Sequence, residues 1–483
     1  MTETLLPETA YRPSRRHAEL GPAFYDVVAP ARFPQAIPRY RNRDWAERVG
    51  LGDLSEADWI RHFGRFEPLP GSFPEPLALR YHGHQFRAYN PDLGDGRGFL
   101  FAQLHDRADG RLLDLGTKGS GQTPYSRGAD GRLTLKGGVR EVLATAMLEA
   151  LDVETSKSFS LIETGEALER GDEPSPARSA VLVRLSHSHI RIGSFQRLLA
   201  LDEPDSIARL IDHCVAAYMP EIRETGRADR AVAFLEAVSR RVARTGAQWM
   251  AAGFVHGVLN TDNINVTGES FDYGPWRFLP HFDPHFTAAY FDTAGLYSFG
   301  RQPEALFWNL SRLADCLLPL AEQPRLERVL KGFGPHLQDA FAAALFARFG
   351  LAPADEEPTH RFVGAFWRFL ADSHAPFERV FFDWYGGLAS RARAARSPVA
   401  ELYGGETFAP VLDALEALEA ADPSRLDHPY FAQAHPCTML IDEVEALWAP
   451  IAERDDWSAF EAKLDEIARM AQACGTAMGR APA

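Results

Sequence analysis

The sequence predicts an α+β fold with a strand-rich N-terminal lobe and a helix-rich C-terminal lobe. Between residue 81 and about residue 195, short β-like runs such as "GFLFAQLHD", "RLLDLGTKG" and "SAVLVRLS" are bounded by Gly and Asp turns. After about residue 200, long amphipathic helical patterns take over. We therefore expect two parts. Residues 1–195 would hold an N-terminal extension and a strand-rich lobe, and residues 196–483 a helical lobe.

One helix interrupts the strands of the first half. In "GGVREVLATAMLEALDV" the apolar positions recur at the i, i+3, i+4 spacing of a helix with one buried face. The apolar positions are Val139, Val142, Leu143, Ala146, Met147 and Ala150. The later helical patterns are "DSIARLIDHCVAAYM", "ADRAVAFLEAVSRRVARTGAQWMAAGF", "PEALFWNLSRLADCLLPL" and "HLQDAFAAALFARFG".

Composition narrows the class of protein. The net charge of −15 argues against a broad nucleic-acid or anionic-membrane surface, which would need clustered Lys and Arg. No apolar run approaches the roughly 20 residues of a transmembrane helix, and the start of the chain has no apolar signal segment. The four cysteines are widely spaced, which is typical of reduced thiols. We expect a cytoplasmic monomer that binds neither nucleic acid nor membranes.

The segment "HGVLNTDNINV" is similar to the catalytic loop of a kinase, which reads His-x-Asp, then four residues, then Asn. His256 and Asn263 occupy the expected places, but Val258 stands where the catalytic Asp belongs. Asp262, four residues further on, keeps a carboxylate in the loop. It could accept a proton from a hydroxyl nucleophile. Phosphoryl transfer depends more on positioning and electrostatics than on proton abstraction, so the loss of the usual Asp need not abolish the reaction.

A metal site is predicted from two oxygen ligands. Asn263 and Asp272 stand nine residues apart, and Asp272 begins "DYG", a conservative variant of the D-F-G motif. Amide and carboxylate oxygens are hard ligands that suit Mg²⁺ beside nucleotide phosphates.

An ion pair is predicted between Lys118 and Glu141. Lys118 ends a predicted strand, and Glu141 follows on the helix some twenty residues later, as in the kinase pair that positions a phosphate-binding Lys. An isolated Lys is more often a solvated surface residue, so the helical Glu is the feature that favours a functional interpretation.

Two Gly-containing segments have alternative interpretations. In "LGDGRG", Gly94 and Gly96 could let backbone N–H groups approach a phosphate and Arg97 would add charge, but Asp-Gly is also a common hairpin turn. Asp130 and Gly131 could likewise form only a loop turn.

Two arginines occur in the short apolar stretch "VRLSHSHIRIG". Arg184 and Arg191 are costly to bury without anionic partners. A phosphate or a protein carboxylate would satisfy them, and the sequence leaves both possibilities open. Taken together, the order of strands, helix, loop and D-x-G motif is that of a protein-kinase-like bilobal fold. Residues 1–195 would then include the nucleotide-binding lobe, and residues 196–483 the catalytic and metal-binding loops.

These residues make the chain resemble the selenoprotein O / YdiU family of kinase-like protein adenylyltransferases. The matching stretches run from about residue 20 to about residue 320 and include "YHGHQF", "LGDGRG", "KGSGQTPYSRGADGR", "VRE", "VLVRLSHSHIRIGSF", "HGVLNTDNINV", "DYGPW" and "YSFGRQPEALFWNLSRLA". The resemblance implies that ATP binds in a reversed orientation. AMP is then transferred to Ser, Thr or Tyr hydroxyls of proteins, and pyrophosphate is released.

The resemblance also implies residue roles. Asp262 is the proton acceptor, Asn263 and Asp272 bind Mg²⁺ or Mn²⁺, and Glu141 pairs with Lys118. The residues expected to bind nucleotide are Gly94, Gly96, Arg97, Lys118, Asp130, Gly131, Arg184, Arg191 and Asp272.

The chain departs from the family pattern in several places. Arg87 follows "GHQF" where Gly is usual, and Pro91-Asp92 precede "LGDGR" where Gln is usual. The late Asn- and Arg-rich stretch of the family is not recognisable after about residue 400. Some members carry a Cys after D-Y-G-P and another Cys or selenocysteine near the C-terminus, but "HFTAAYFD" and the ending "GRAPA" have neither. Because Cys474 then lacks an evident partner, we do not expect a redox switch.

Three other functions remain as alternatives. An ATP-binding pseudokinase scaffold is favoured by Val258 and disfavoured by the intact Lys118, Glu141, Asn263 and Asp272. An ordinary kinase would transfer the γ-phosphate. A Mn²⁺-dependent uridylyltransferase would be a close variant of the adenylyltransferase.

Overall fold

A computed structural model of the chain describes residues 11–171 and 173–476. Strands dominate the first half of this range. They are β1 Pro13–Ser14, β2 Tyr25–Val27, β3 Ile37–Arg41, β4 Leu77–Leu79, β5 Gly83–Gln85, β6 Ala88–Asn90, β7 Leu100–His105, β8 Leu112–Lys118, β9 Leu133–Thr134, β10 Lys157–Leu168, β11 Ala177–Ser186, β12 Phe254–Val255 and β13 Arg277–Phe278.

Helices occur along the whole described range and dominate its second half. They are α1 Arg43–Arg48, α2 Glu56–Phe63, α3 Leu135–Ala150, α4 Ile192–Ala200, α5 Pro204–Tyr218, α6 Arg227–Ala251, α7 Gln302–Leu317, α8 Gln323–Lys331, α9 Phe333–Phe349, α10 Glu356–Ser373, α11 Phe377–Trp384, α12 Arg391–Ala394, α13 Ala400–Tyr403, α14 Ala409–Leu415, α15 Ile441–Arg454 and α16 Ser458–Cys474. The predicted α+β class, with a strand-rich first half and a helix-rich second half, is confirmed.

Within the described residues the main sheet is antiparallel and has nine strands, which include the three predicted β-like runs as β7, β8 and β11. Its central order is β2-β4-β7-β8-β11-β10-β3, with β1 on β7 and β9 on β11. In the β8–β11 register, Lys118 lies opposite Leu182 and Gly116 lies opposite Arg184. Since side chains of opposed residues share a face, Lys118 and Arg184 project from the same side of the sheet.

Helix α3 carries Glu141 against the sheet. It begins after Thr134, whose side chain caps the helix by accepting a hydrogen bond from the Gly137 N–H. The prediction of a single buried face is wrong, because α3 is buried on nearly every side. It contacts β10 and β11, and the distant C-terminal helix α16 also packs on it.

The C-terminal helices are tied to the strand-rich half by ion pairs. Lys136 at the start of α3 contacts Glu445 of α15 at 2.7 Å. Asp455, just after α15, contacts Arg178 of β11 at 2.7 Å and Arg39 of β3 at 3.0 Å. The end of the chain therefore returns to the sheet and to the helix that bears Glu141.

The predicted division after residue 195 falls inside α4, and the largest buried apolar cluster contains residues from both halves of the chain. The division into two lobes at that residue stays a prediction. Within the described ranges, none of the helices combines the length and the apolar character needed to cross a membrane.

Candidate active site

Four segments bring six of the predicted site residues together beside the sheet: Lys118, Arg184, Arg191, Asp262, Asn263 and Asp272. The segments are the end of β8, the strand β11 with the turn that follows it, the loop 256–263, and Asp272. The contacts among them fall into two groups, one around Asp272 and one around Asp262.

Lys118 links β8 to α3 and to Asp272. Its Nζ contacts Glu141 Oε1, and it lies 3.0 Å from Asp272 Oδ1. The exposed fractions of Lys118 and Glu141 are only 4% and 1%. Glu141 Oε2 has no hydrogen-bond partner within the described residues. A buried pair of this kind holds the Lys head group in one place, because breaking it would leave a buried charge uncompensated.

Asp272 is surrounded by hydrogen-bond donors. Its Oδ1 also accepts a hydrogen bond from Arg184 Nη1 at 3.0 Å, and its Oδ2 accepts one from Asn263 Nδ2 at 3.1 Å. Its backbone φ of 64° lies in the left-handed region, which is strained for a residue other than Gly. Such a conformation persists only where surrounding contacts enforce it, and these donors supply them.

The positive charges around Asp272 determine its protonation state. Burial by itself would raise the pKa of Asp272, but Lys118, Arg184, Arg97 and Arg191 together hold it well below its usual range. The carboxylate is therefore ionised at neutral pH and available to a cation.

Asp262 lies in a short 3-10 turn, Thr261–Asn263. Unlike Asp272, it is not surrounded by hydrogen-bond donors in the described ranges. Its Oδ1 is buried and has no hydrogen-bond partner within the described part of the chain. Burial raises the pKa of Asp262 to about 6, and the charge of Asp272 adds to the rise, although Arg191 and Arg127 oppose it. Val258 packs against the main apolar cluster, so the position of the usual kinase base serves the core in this chain.

The β5–β6 hairpin holds the loop that carries Asp262. The His84 N–H donates to Thr261 Oγ1 at 2.7 Å, and the Phe86 N–H donates to Asn260 Oδ1 at 2.9 Å. Asn260 Oδ1 also accepts a hydrogen bond from the Tyr297 hydroxyl at 2.8 Å. Sequence reasoning assigned no role to these residues. The only available signal was that "YHGHQF" belongs to the stretches that match the family.

The hairpin also passes close to the carboxylate of Asp262. A Cβ added at Gly83 would lie 3.1 Å from Thr261 Oγ1 and 3.2 Å from Asp262 Oδ1. Gly at this position therefore allows the backbone of the hairpin to approach the loop.

The glycine turn of residues 93–98 packs against the loop that contains Tyr125. A Cβ at Gly94 would lie 2.3 Å from the Tyr125 ring, and a Cβ at Gly96 would lie 2.8 Å from the Tyr125 carbonyl oxygen. The packing of Tyr125 is therefore a sufficient reason for both glycines. The exposed Arg97 is near enough to lower the pKa of Asp272, which brings its charge to the site.

Arg191 pairs with a residue that the sequence analysis passed over. Its Nη1 donates to Asp95 Oδ1 at 3.1 Å, and its guanidinium lies 4.2 Å from the Tyr81 ring centroid and 5.2 Å from that of Phe271. Both predicted arginines thus have carboxylate partners in this structure, Asp272 for Arg184 and Asp95 for Arg191. Asp95 lies inside "LGDGRG", where the Asp-Gly pair drew attention only as a turn.

Asp130 and Gly131 are not joined to this cluster by a described contact. The Asp130 carboxylate accepts hydrogen bonds from Arg170 and from the Arg132 N–H. Gly131 has a φ of 69°, and a Cβ there would lie 2.3 Å from the Gly121 backbone. Both residues lie in the loop that leads from β8 to β9.

The donor set fits a magnesium ion that is shared with a nucleotide. Asn263 Nδ2 lies 3.1 Å from Asp272 Oδ2, so the two side chains are adjacent, and each also carries a hard oxygen ligand. The described residues contain no group of three or more His, Cys, Asp or Glu side chains that could hold a metal ion. Mg²⁺ is commonly held by one or two protein oxygens, with phosphates and water completing its shell.

Comparison with known proteins extends the resemblance over nearly the whole chain. The model of the family described as "Protein adenylyltransferase SelO" matches residues 7–468. The match continues well beyond residue 320, so most of the C-terminal third also matches the family model.

Two relatives named "Protein nucleotidyltransferase YdiU" are closely similar. The protein from Synechocystis sp. is 43% identical over 461 residues, which cover 91% of this chain and 94% of the relative. The protein from Gloeobacter violaceus is 44% identical over 462 residues, with 92% of each chain covered. A relative from Mycobacterium sp. is 35% identical over 439 residues, or 88% of this chain and 87% of its own. The predicted kinase-like fold and nucleotidyltransferase activity are thereby confirmed: the chain belongs to the SelO family of protein adenylyltransferases.

Proposed function

We propose that this adenylyltransferase moves AMP from ATP to Ser, Thr or Tyr hydroxyls of proteins, with Asp262 as the proton acceptor and Asn263 and Asp272 as the metal ligands. The observation that carries the proposal is the contrast between two carboxylates close enough for one to shift the pKa of the other. Asp262 has an unpartnered buried oxygen and a raised pKa, whereas Asp272 is held ionised by Lys118 and Arg184. Two carboxylates with separated pKa values are typical of a site that needs one base and one permanent anion.

The cationic side chains are suited to the triphosphate. Lys118, Arg184, Arg191 and Arg97 all act on Asp272 electrostatically, so they lie where nucleotide phosphates could replace or share their carboxylate partners. Glu141 keeps Lys118 in position. A bound Mg²⁺ would supply charge neutralisation for the phosphates.

The acceptor hydroxyl reacts at the α-phosphorus. Asp262 accepts the hydroxyl proton while the oxygen forms a bond to the α-phosphorus, and the bond from that phosphorus to the bridging oxygen of the β-phosphate breaks. Pyrophosphate leaves with the bonding electrons. A pKa of about 6 leaves Asp262 mostly deprotonated at pH 7 and more basic than an ordinary carboxylate.

The decisive experiment uses two labels. The enzyme is incubated with a protein mixture and ATP labelled at either the α- or the γ-phosphate, with Mg²⁺ or Mn²⁺, and UTP labelled at the α-phosphate is run in parallel. We expect protein-bound label from the α-position of ATP. Label from the γ-position would indicate an ordinary kinase, preferential label from UTP a uridylyltransferase, and no label with any nucleotide a scaffold.

Asp262→Asn, with Asp339→Asn as its control, shows whether the label depends on the proposed base. Asp339 is an exposed acidic residue on α9 and carries the same change of charge outside the site. We expect the label to disappear only with Asp262→Asn. Equal labelling by the two variants would contradict the assignment of the base.

We also propose that residues 1–195 and 196–483 act as the two lobes of the enzyme and that it works as a monomer in the cytoplasm. The separation of strand-rich and helix-rich halves supports the first point. Light scattering of the purified chain would test the second, and fractionation of the source cells the third.

A further inference from the structure

Three exposed aromatic side chains gather near the loop that carries Asp262. Phe86 is 39% exposed, Tyr290 82% and Phe291 46%. The ring centroids of Phe86 and Phe291 are 5.9 Å apart, and those of Tyr290 and Phe291 are 5.1 Å apart. We refer to Phe86, Tyr290 and Phe291 as the aromatic patch. It joins the hairpin β5–β6 to the segment that follows Asp272 along the chain.

The aromatic patch directly contacts the loop that carries the proposed base. The Phe86 N–H donates to Asn260 Oδ1, and the Phe86 ring lies 5.1 Å from the ring of Tyr297, whose hydroxyl donates to the same oxygen. Asn260 stands two residues before Asp262 in the loop. The patch therefore begins one side chain away from the backbone that positions the base.

The backbone that bears these rings is held by specific contacts. Asp292 is buried and accepts hydrogen bonds from the Leu296 and Tyr297 N–H groups, each at 2.8 Å. On the other side, Arg87 at the hairpin tip pairs with Glu304 of α7 at 2.7 Å. The exposure of the aromatic rings is therefore built into ordered structure. Apolar surface that is presented in this way is typical of a binding site, since a fixed surface loses little entropy on binding.

Phe86 and Arg87 show how strongly the hairpin tip is constrained. Their φ angles are 49° and 64°, in the left-handed region that residues with a Cβ rarely adopt. Positive φ at both central residues is what a two-residue hairpin turn between Gln85 and Ala88 requires, and contacts of the tip maintain it where neither residue is Gly. The ion pair of Arg87 with Glu304 is one of these contacts.

We infer that the aromatic patch binds an apolar side chain of the protein substrate close to the hydroxyl that receives AMP. The inference rests on the proposed function, which requires the acceptor residue to reach Asp262. An extended polypeptide advances about 3.3 Å per residue, so a segment that leaves the base along the hairpin meets the patch within a few residues.

The chemistry of the patch favours an apolar neighbour of the acceptor. Arg87, the cation beside Phe86, is already paired with Glu304, so an acidic substrate residue would have to compete with that pair. Flat aromatic rings instead bind aliphatic and aromatic side chains through burial of apolar surface. The chain's net charge of −15 disfavours a nucleic acid as the occupant.

The test uses two synthetic peptides that each contain a single Thr. One carries Phe at the second position on either side of the Thr, and the other carries Ser at those positions. AMP incorporation from α-labelled ATP gives kcat and KM for each peptide. For the wild-type enzyme we expect kcat/KM to favour the Phe peptide by about tenfold or more.

The double variant Tyr290→Ser/Phe291→Ser should lower this preference below about twofold, mainly through a higher KM for the Phe peptide. Leu201→Ser is the matched control, because Leu201 is exposed to the same 46% as Phe291 but follows α4, away from the aromatic patch. It should keep the wild-type preference. Thermal melting and the Kd for ATP, measured on both variants, distinguish a local effect from misfolding.

The outcomes separate the inference from the function on which it rests. If the wild-type enzyme labels both peptides equally, or if the double variant keeps the preference, the docking inference is wrong while adenylyl transfer stands. If α-label enters neither a peptide nor any protein, the proposed function itself fails. If the wild-type chain is a dimer that the double variant converts to a monomer, the patch is an interface between two copies and the inference is overturned.

Discussion

The surroundings of Asp272 and of Asp262 differ although the two carboxylates are close enough to interact electrostatically. Asp272 accepts hydrogen bonds or ion pairs from Lys118, Arg184 and Asn263. Asp262 has one buried oxygen without a partner in the described residues and is attached to the hairpin only through its loop neighbours. The pKa of the first is held well below the usual value, and burial raises the second to about 6.

The difference shows how one fold can give two identical side chains separate tasks. Donors and cations stabilise the ionised form of Asp272, which suits it to a metal ion. Partial desolvation makes Asp262 a stronger base than an exposed carboxylate. Each of the following variants or conditions removes one element of this contrast.

The largest expected effect comes from Asp272→Ala. The change removes a metal ligand and leaves Lys118 and Arg184 without their shared anion, so transfer should fall on the order of 10⁴-fold. The measurement is AMP incorporation as a function of Mg²⁺ concentration, with Asp339→Ala, a change at an exposed residue of α9, as the control. A folded Asp272→Ala protein with nearly wild-type turnover would contradict the assignment of the metal site.

Asp262→Asn should lower the rate by about 10²–10⁴-fold, the usual range for a positioned base. The Kd for ATP should change much less, because the proposed nucleotide-binding charges remain. Adding Val258→Asp to this variant should not restore AMP transfer, since Val258 is half-buried against the core and a carboxylate there would lose part of its hydration. Unchanged transfer in Asp262→Asn would mean that positioning and magnesium carry the reaction without a base.

Lys118→Met and Glu141→Gln should each reduce transfer roughly 100-fold, but the double variant should lose much less than the roughly 10⁴-fold product. The reason is that the buried pair acts as a unit, so that losing either member disables both. The transfer rates of the wild type, the two single variants and the double variant give the coupling free energy between the two side chains. A double variant that shows the full product would demonstrate that the two side chains act independently.

The pH dependence should report the raised pKa of Asp262. The base must be deprotonated, so kcat/KM should be nearly constant above pH 7 and decline through about pH 6, with roughly a tenfold loss between pH 7 and pH 5. In Asp262→Asn the residual activity should lack this inflection. A wild-type profile that stays flat down to pH 5 would place the pKa of the base near the ordinary value of 3.8 and remove the proposed contrast.

Reductants should have the smallest effect. All four cysteines are free, and burial raises the pKa of the Cys474 thiol to about 12, which keeps it protonated and unreactive at neutral pH. We expect activity with and without dithiothreitol to agree within about twofold. A large reversible activation by reductant that Cys474→Ser abolishes would show that a thiol also controls the site.

The sequence alone determined the order of the structural elements and the spacing of the chemical groups. Strands β7, β8 and β11 and helices such as α3 and α6 were predictable, because hydrophobic periodicity and turn residues act over a few neighbours. The same is true of the Asn263–Asp272 spacing and of the Lys118 and Glu141 positions on a strand and a helix.

Tertiary structure alone decided which partners these groups have. Helix α16 covers the outer side of α3, Tyr125 packs on Gly94, and Asp95 pairs with Arg191. The hairpin reaches Asn260 from more than 170 residues away in the chain. The opposed pKa values of Asp262 and Asp272 have the same origin, since desolvation and Coulomb interactions sum over residues from several distant segments. No local sequence pattern encodes such a sum.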